Sequence, residues 1–441
     1  KKGQEADRLF AEAGDRYAEA LRLKPDFHEA LNNWGNALSV QAGMKTRDEA
    51  DRLFADAFGK YAEALRLKPD YHEALINWGS ALSALAQMKM GDEADRLYAK
   101  AYGKYADALR LKPDSHGALN IWGNALYAQG KKKAGEEADR LFAEAAGKYA
   151  EALRLRPYDH EVLTNLGIAL FAQAETKAGD EADELLADTC GKYAEALRLK
   201  PDYYAALNNW GAALHTQAKK KVGEEADRLF TEAGRKYAEA LRLWPGSHEA
   251  LTNWGAALYE QAKAKVGEEA DRLFTEVGNK YAEALRLKPD YQTALNNWGS
   301  ALYEQAKTKA GEEADRLFAA AGDKYAEALR LKPDYQEALH NWGNALAEQA
   351  KTKAGEEARS LLQQARQKLL EAERIRAGSA SYNLACIEAR EGNTTQAVHW
   401  LQISASAGDQ LSRERLAAEK DFDRIRSEPQ FVSLVESMTE G

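Results

Sequence analysis

Cysteine is scarce in this chain: Cys190 and Cys386 are the two among 441 residues. Two thiols are too few for a disulfide scaffold or a four-cysteine zinc site, so we expect buried free thiols in a reducing compartment. A run of about 18 apolar residues, the length that crosses a bilayer as a helix, is missing as well. We therefore expect a cytoplasmic protein without a membrane partner.

Positively charged residues do not outnumber negatively charged ones in this chain. The chain has 61 Lys and Arg against 70 Asp and Glu, which gives a formal net charge of −9. A nucleic-acid platform gathers Lys and Arg on one face, so this balance argues against a nucleic-acid partner. The short basic runs 131–133 and 219–221 are followed at once by acidic residues and are typical of solvated helix ends.

Motifs for catalysis and metal binding are also missing. Gly123 and Gly130 do not have the spacing of a phosphate-binding loop. Five histidines occupy one position per repeat, too far apart to share a metal ion that needs ligands at about 2 Å: His28, His72, His116, His160 and His248. Acidic pairs such as Glu136 and Glu137 recur in every unit and so belong to the repeat. We expect no enzymatic activity, no cofactor and no metal.

Proline is rare, and its placement reveals the repeat. Eight of the nine prolines follow one another at steps of 44 residues: Pro25, Pro69, Pro113, Pro157, Pro201, Pro245, Pro289 and Pro333. A fixed period of this length predicts an array that grows by stacking rather than by filling one core.

Each unit reads as two helices. In the unit ending at Pro113, apolar residues at helical spacing predict a first helix over 71–88 and a second over 93–111. The second helix ends at Lys112 because the residue before a proline is pushed out of the helical region. The short turn around Gly91 makes the pair an antiparallel hairpin. The chain is therefore predicted to be all-α.

The landmarks within a unit resemble those of the tetratricopeptide repeat (TPR) family, at the family's own spacing within the second helix: Trp78, Gly79, Leu82, Ala101, Tyr105, Ala108 and Pro113. The family repeat has about 34 residues, so both helices here are lengthened at the same end of the hairpin. The resemblance implies a right-handed superhelical solenoid whose first helices line the concave face.

Four ranges follow from the pattern. Residues 1–25 form the second helix of a truncated repeat, 26–377 eight repeats of 44 residues, 378–410 a hairpin of ordinary family length, and 411–441 capping helices at the C-terminus. Because the first helix of the truncated repeat is missing, we expect the natural chain to continue before Lys1.

A row of asparagines directly precedes the large apolar residue of the first helices: Asn33, Asn77, Asn165, Asn209, Asn253, Asn297, Asn341 and Asn383, with Ile121 in the third unit. An amide offers both a donor and an acceptor to a peptide backbone. The repeat domain of the O-linked N-acetylglucosamine transferases, which this sequence resembles, uses asparagines at this position to hold peptides. The alternative is a local bond to an adjacent helix.

Residues beside the row vary, although the rest of the array is uniform. On the same predicted groove face we expect ligand contacts from Asn36, Asn124, Tyr127, Phe171, His215, Tyr259 and Tyr303. The fourth unit differs most, with Leu166 in place of Trp. The alternative interpretation is neutral drift on a solvated face.

Every second helix also carries a glycine near its middle: Gly14, Gly59, Gly103, Gly147, Gly191, Gly234, Gly278 and Gly322. A glycine inside a helix costs about 1 kcal/mol relative to alanine. Either a hinge or a close approach between helices would account for it.

These features predict a non-catalytic scaffold that binds a protein or an extended peptide in its groove. The basic residues with which some family members clamp an acidic tail are absent from the expected groove positions. Two alternatives stay open: a structural module that self-associates through its open N-terminal end, and the sensor arm of a multidomain effector whose enzymatic part precedes Lys1.

Overall fold

The computed structural model of the chain describes residues 2–438, with side chains from residue 5 onward. Every regular element in this range is helical. The α-helices are α1 (Lys2–Leu23), α2 (His28–Ala42), α3 (Arg47–Leu67), α4 (His72–Met88), α5 (Gly91–Leu111), α6 (His116–Gly130), α7 (Gly135–Leu155), α8 (His160–Glu175), α9 (Gly179–Leu199), α10 (Tyr204–Lys219), α11 (Gly223–Leu243), α12 (His248–Lys263), α13 (Gly267–Leu287), α14 (Gln292–Lys307), α15 (Gly311–Leu331), α16 (Gln336–Gln349), α17 (Gly355–Ile375), α18 (Ser381–Glu391), α19 (Thr394–Ser406), α20 (Arg413–Ala418) and α21 (Pro429–Ser437).

The chain divides into two compact units, one up to Gln217 and one from Ala218 onward. Unit 1 contains α1 to α9 and unit 2 contains α11 to α21, while α10 spans the boundary. Within each unit, consecutive helices pack as hairpins and the hairpins pack in series, as α4 with α5 and α5 with α6 in unit 1, or α14 with α15 and α15 with α16 in unit 2. This confirms the predicted class, an all-α solenoid of TPR-like hairpins.

The predicted domain boundaries stay a prediction. The two ends of the expected ranges 1–25 and 411–441, namely Lys1 and residues 439–441, lie outside the described residues.

The hairpin of α4 and α5 shows why this sequence folds as it does. Ala74, Leu75 and Leu82 recur at helical spacing on α4 and are buried. Opposite them, Tyr98 and Tyr105 of α5 have no exposed surface. Complete burial of one such large side chain contributes about 1.5–3 kcal/mol, so an array that repeats these positions can bury a continuous core.

A glycine opens most of the long second helices. Gly91 has φ of 56°, in the left-handed region that a side chain disfavours, and it lets the chain reverse between α4 and α5. Six further second helices begin in the same way, with φ between 58° and 63°: Gly135, Gly179, Gly223, Gly267, Gly311 and Gly355.

Ion pairs join neighbouring hairpins at this turn. Lys89 Nζ lies 2.7 Å from Asp51 Oδ2 of the preceding second helix, and Lys133 Nζ lies 2.7 Å from Asp95 Oδ2. The hydrogen bond from Lys133 lowers the pKa of Asp95. In unit 2 the equivalent pairs are Lys265–Asp227, Lys309–Asp271 and Lys353–Asp315. The lengthened ends of the hairpins are therefore bonded to one another as well as packed.

The glycines inside the second helices fall into two groups. Gly14, Gly234, Gly278 and Gly322 lie against a tryptophan indole, 3.1–3.6 Å from where a Cβ would stand. Gly59, Gly103, Gly147 and Gly191 have no such neighbour within 4 Å, since they stand one residue later in the 44-residue register. The residues at the register of the first group, Phe58 and Tyr102, stack on Trp78 and Trp122 instead. Close packing therefore explains Gly234 and Gly322, at 3.1 and 3.2 Å, while a Cβ at Gly14 or Gly278 would make an ordinary van der Waals contact.

The C-terminal part of unit 2 closes the array. Helices α18 and α19 form the short hairpin, and the segment that follows buries Leu416, Phe422, Ile425 and Phe431 against it, in one cluster with Leu401. The C-terminal helical cap that we expected from the sequence is thus present.

Candidate functional site

The asparagine row lies along the first helices, at the edge of their buried faces. Asn33 is exposed and the other members are half-buried, Asn77, Asn165 and Asn209 in unit 1 and Asn253, Asn297, Asn341 and Asn383 in unit 2. This placement follows from helical spacing, because the leucine two residues before and the glycine two residues after each asparagine of the long repeats are buried where the hairpin closes.

Members of the row bond to the preceding hairpin. In unit 1, Asn77 Nδ2 donates to Asn32 Oδ1 at 3.0 Å, and Asn165 Nδ2 donates to Asn120 Oδ1 at 3.1 Å. Asn32 in turn donates to Asn33 Oδ1 at 3.3 Å, so three amides are linked across the first two hairpins. We call these linked side chains the amide ladder.

Unit 2 contains the same arrangement. Asn341 Nδ2 donates to Asn296 Oδ1 at 3.1 Å, and Asn296 donates to Asn297 Oδ1 at 3.3 Å. Asn383 of the shorter last hairpin donates to Asn344 Oδ1 at 2.7 Å. The amide ladder therefore uses one donor of several row members for contacts between hairpins, which is the local role that the sequence left open.

Asn36 and Asn124 lie one helical turn beyond the row and accept hydrogen bonds from buried tyrosines. Tyr61 donates to Asn36 Oδ1 at 2.7 Å, and Tyr149 donates to Asn124 Oδ1 at 2.7 Å. Asn36 is half-buried and Asn124 is exposed. These two amides thus join the expected groove face to the core tyrosines of the second helices.

The variable aromatic positions are half-buried rather than fully exposed: Tyr127, Phe171, His215, Tyr259 and Tyr303. One edge of each tyrosine ring packs on the core, as Tyr127 does against Phe142 with ring centroids 5.6 Å apart and Tyr303 against Phe318 at 6.3 Å. Phe171 packs beside Ile168 in the cluster of Leu163 and Tyr193. Part of each ring therefore serves the fold, and part faces outward beside the row.

A cavity of about 190 Å³ lies in unit 2 beside the end of the row. Tyr303, Asn344, Glu348 and Lys351 line it from the long repeats, and Asn383, Cys386 and Arg390 from α18; Tyr382, Ala347, Ile387, Glu419 and Asp421 complete the wall. We call it the end cavity. It brings two of the sequence-predicted residues, Tyr303 and Asn383, to one place.

Charges in the end cavity are loosely paired. Lys351 Nζ lies 3.0 Å from Glu348 and 3.6 Å from Asp421, and Arg390 Nε lies 3.8 Å from Asp421. Burial raises the pKa of Asp421 despite these two cations. Burial also raises the pKa of the Cys386 thiol, and the carboxylates of Asp421 and Glu419 add to that rise. Three carboxylates and two cations thus line the cavity.

One group in the described part of the chain has metal-ligand spacing: Cys386, Glu419 and Asp421, whose ligand atoms lie within 4.8 Å of one another. Asp421 already faces Lys351 and Arg390, which weakens the case for an ion there. Among the described residues, no helix combines the length and the apolar character that crossing a membrane requires.

Sequence reasoning missed the partners in the amide ladder. Asn32, Asn120 and Asn296 stand one position before the row, and we expected them only as variable neighbours. A signal was present, because each of these three acceptors lies 45 residues before its donor, one residue more than the repeat. At that offset Ile121, which interrupts the row, falls opposite Ile76, the one isoleucine at the neighbouring position.

Together, the hairpins, the packing landmarks that recur in each unit and the row on the first helices define a TPR-type helical repeat protein. The sequence profile of the family described as plant specific mitochondrial import receptor subunit TOM20 matches residues 62–154, 226–334 and 273–389, which is more than half of the chain. The chain belongs to this family. Two of the matches overlap, as a profile containing repeats does on a repetitive sequence. None of the curated proteins matches.

Several solved structures are similar to this chain, among them YrrB, yeast Tom70 and pilF. YrrB, described as a TPR protein with an unusual peptide-binding site, is 19% identical over 53% of this chain and 95% of its own, with a TM-score of 0.34. Yeast Tom70 is 16% identical over 99% and 98%, with a TM-score of 0.37. Pseudomonas aeruginosa pilF is 17% identical over 60% and 94%, with a TM-score of 0.40. Scores this low carry no argument about the ligand of this chain.

Proposed function

We propose that this protein is a non-catalytic receptor scaffold that binds an extended peptide or protein segment along the face of its first helices. The asparagine row holds the backbone of the ligand, and the residues beside the row select its side chains. The observation that carries the proposal is the amide ladder, in which Asn77 and Asn341 are oriented by bonds of 3.0 and 3.1 Å. Amides held in this way lose little side-chain entropy when they bind.

A hydrogen bond in the amide ladder does not use all the hydrogen-bonding groups of an asparagine side chain. The side-chain amide has two donor hydrogens and an oxygen with two lone pairs, and Asn77 and Asn341 are half-buried rather than sealed. Asn341 Nδ2 also donates to Ser300 Oγ at 3.4 Å, so the group that Asn341 offers to a ligand is its oxygen. Each residue of an extended ligand offers one backbone N–H and one C=O, whatever its side chain. A row at repeat spacing can therefore grip a backbone, while Tyr127, Phe171 and Tyr259 change from hairpin to hairpin and set specificity.

Membership of an import-receptor family supports a binding role. The matching profile is that of a receptor subunit, and receptors work by recognition rather than by catalysis. A hairpin array also presents an extended surface, which suits a ligand without a folded structure of its own. Self-association remains the alternative, and light scattering over a range of protein concentrations distinguishes it.

Selection of a random-peptide display library on the full chain tests the proposal. It is run beside a variant in which Asn209, Asn253, Asn297 and Asn341 are changed to Ala, and beside a variant of Asn297 and Asn341 alone. A matched control changes polar residues of the second helices, Arg235, Asn279 and Asp323, to Ala, because these side chains are exposed and lie outside the row.

Peptides that enrich on the parent chain and on the control, but not on the row variants, support the proposal. Circular dichroism must show that the variants remain folded. The two-residue variant still tests the row if the four-residue variant is too unstable to fold. Equal enrichment on all four proteins, or none on any, would contradict a role for the row and favour self-association.

A further inference from the structure

One position beside the row changes its chemistry between the units. Directly after the variable aromatic position, unit 2 has Glu260, Glu304 and Glu348 on three successive first helices. The same position in unit 1 has small or apolar residues: Val40, Ala84, Ala128, Ala172 and Thr216. The three glutamates are therefore a local feature of unit 2 and not part of the repeat.

The glutamates are held close to the protein surface. Their side chains are 25%, 22% and 33% exposed, less than those of the lysines that accompany them. Tyr259 and Tyr303 precede the first two and are themselves half-buried. Glu304 contributes to raising the pKa of Tyr259, and Glu348 to raising the pKa of Tyr303, after the larger effect of burial. The pKa of each tyrosine is thus affected by one carboxylate of its own hairpin and by one of the next hairpin.

Lysines of the chain show how a cation sits at these positions. Lys263 Nζ lies 5.1 Å from the ring centroid of Tyr259 and 3.1 Å from Glu260 Oε2. Lys307 repeats the arrangement, 5.2 Å from the ring of Tyr303 and 2.8 Å from Glu304 Oε2. Both lysines are roughly 40% exposed, at 41% and 38%. Each tyrosine and glutamate therefore already forms a site that accepts an ammonium group.

The third glutamate opens into the end cavity. Here Glu348, Glu419 and Asp421 line the cavity together with Lys351 and Arg390. Arg415 stacks on the ring of Tyr382 in the cavity wall, 4.2 Å from the ring centroid. The ring of Tyr303 lines the same cavity, and so does Asn383 of the row. The cavity thus continues the line of acidic and aromatic side chains and ends it at the C-terminal cap.

We propose that Glu260, Glu304 and Glu348, with Tyr259, Tyr303 and the end cavity, bind positively charged side chains of the ligand, about one per hairpin. This inference rests on the proposed function, because it assumes a peptide lying along the row. It adds a chemical class: the part of the ligand that contacts unit 2 is rich in Arg or Lys.

The internal lysines do not block such a ligand. Ion pairs three residues apart on an exposed helix contribute only about 0.5 kcal/mol, so Lys263 and Lys307 can swing into water at little cost. A guanidinium group can stack on the ring and hold the carboxylate with two parallel hydrogen bonds, which a lysine cannot do. Binding of an arginine at a tyrosine face contributes about 0.5–2 kcal/mol. An acidic ligand would instead meet the carboxylates of the end cavity.

Fluorescence anisotropy with three labelled nonapeptides tests this inference. The probes are nona-arginine, nona-glutamate and a neutral Gly-Ser peptide, each at physiological ionic strength. We expect the full chain to bind nona-arginine and neither of the other two. Changing Glu260, Glu304 and Glu348 to Gln should weaken this binding by about tenfold or more.

The matched control changes Glu268, Glu312 and Glu356 to Gln. These glutamates are exposed in the first turns of α13, α15 and α17, at one per repeat, so the net charge changes equally. We expect less than about a twofold loss of nona-arginine binding in the control. If both variants lost the same amount of nona-arginine affinity, general electrostatic attraction would explain the binding, and the proposal would be overturned.

The internal lysines give a second measurement that does not depend on weakening the protein. Changing Lys263, Lys307 and Lys351 to Gln should increase the affinity for nona-arginine several-fold, because the sites lose their resident cations. Changing the same lysines to Arg keeps the resident charge and should not increase affinity. A decrease in the Gln variant, or an equal gain in the Arg variant, would contradict displacement.

Failure of this inference and failure of the proposed function are distinguishable. If the display experiment yields peptides that depend on the asparagine row but lack basic residues, and nona-arginine binding ignores Glu260, Glu304 and Glu348, the receptor function stands and the basic preference is wrong. If the row variants change nothing while nona-arginine binding depends on the glutamates, the row is the part that fails.

Discussion

Gly79 on α4 lies against the ring of Tyr105 on α5, so closely that a Cβ at residue 79 would stand 2.6 Å from ring atom Cε1. The same contact, at 2.6–2.9 Å, recurs in other hairpins: Gly35–Tyr61, Gly123–Tyr149, Gly167–Tyr193, Gly255–Tyr281 and Gly299–Tyr325. The ring belongs to a buried tyrosine whose movement is limited by the core. The glycine after the row's apolar residue therefore sets the distance between the two helices in these hairpins.

Changing Gly79 to Ala should destabilise the chain, although alanine is the better helix former. Forcing a methyl group into a packed interface costs about 1–3 kcal/mol, while the gain in helix propensity is about 1 kcal/mol. Gly103 in α5 is the control, because nothing lies within 4 Å of its would-be Cβ. Gly103→Ala should stabilise the chain by about 0.5–1 kcal/mol.

Urea denaturation followed by circular dichroism measures both effects. A shift to lower urea for Gly79→Ala and to higher urea for Gly103→Ala is the expected pair of results. If the two variants shifted in the same direction, propensity alone would govern both sites, and the contact with Tyr105 would have no energetic weight.

The helices and their glycines also show which features could be predicted from the sequence and which could not. The period, the proline boundaries and the helical spacing predicted α4 and α5 nearly to the residue, because each depends on local chemistry. Gly59 and Gly234 looked equivalent from their position within a helix, yet one faces solvent and the other Trp254, since the register differs by one residue. Bonds such as Asn77 to Asn32 join side chains of different hairpins, and their geometry depends on packing that a single repeat does not contain.

The break in the row at Ile121 gives a prediction about the amide ladder. In its neighbours the asparagine donates to the residue 45 positions earlier, and for Ile121 that residue is Ile76. Changing Ile121 to Asn alone places an amide beside an apolar side chain at a half-buried position, which should cost about 1–3 kcal/mol. Changing Ile76 to Asn as well should recover part of that loss.

A double-mutant cycle in urea, with both single variants and the pair, measures the coupling between the two positions. We expect a favourable coupling of about 0.5–1.5 kcal/mol, the usual value of one hydrogen bond. Additive effects of the two changes would show that the offset of 45 residues does not govern bonding here.

The buried tyrosines predict loss of stability at alkaline pH. Burial raises the pKa of Tyr61 and Tyr98 to about 12, and it also raises the pKa of Tyr149 and Tyr281. In the unfolded chain these hydroxyls ionise near pH 10. Above that pH the unfolded state binds fewer protons than the folded state, so the free energy of unfolding decreases as the pH rises.

Stability should thus be constant with respect to these groups below about pH 9 and decrease between about pH 10 and 12. Titration followed by tyrosinate absorbance and by circular dichroism should show the buried tyrosines ionising in the same cooperative step in which the helices are lost. Ionisation of all tyrosines near pH 10 with the helices intact would contradict their burial.

Lys132 provides the last prediction, because it links hairpins without a carboxylate. Its Nζ donates to the backbone oxygens of Ala86 at 3.1 Å, Gln87 at 2.6 Å and Lys89 at 2.7 Å, at the C-terminal end of α4. The last carbonyls of a helix lack partners within the helix and carry partial negative charge. Changing Lys132 to Met keeps the aliphatic stem but removes the ammonium group, and it should lower the free energy of unfolding by about 1 kcal/mol.

The control is Lys131→Met, since Lys131 is exposed and only approaches the ring of Tyr127 at 6.0 Å. A urea midpoint that falls for Lys132→Met and stays for Lys131→Met would show that the turn inside one hairpin stabilises the end of the first helix of the preceding hairpin, whereas equal midpoints would mean that water satisfies these carbonyls as well as the lysine does.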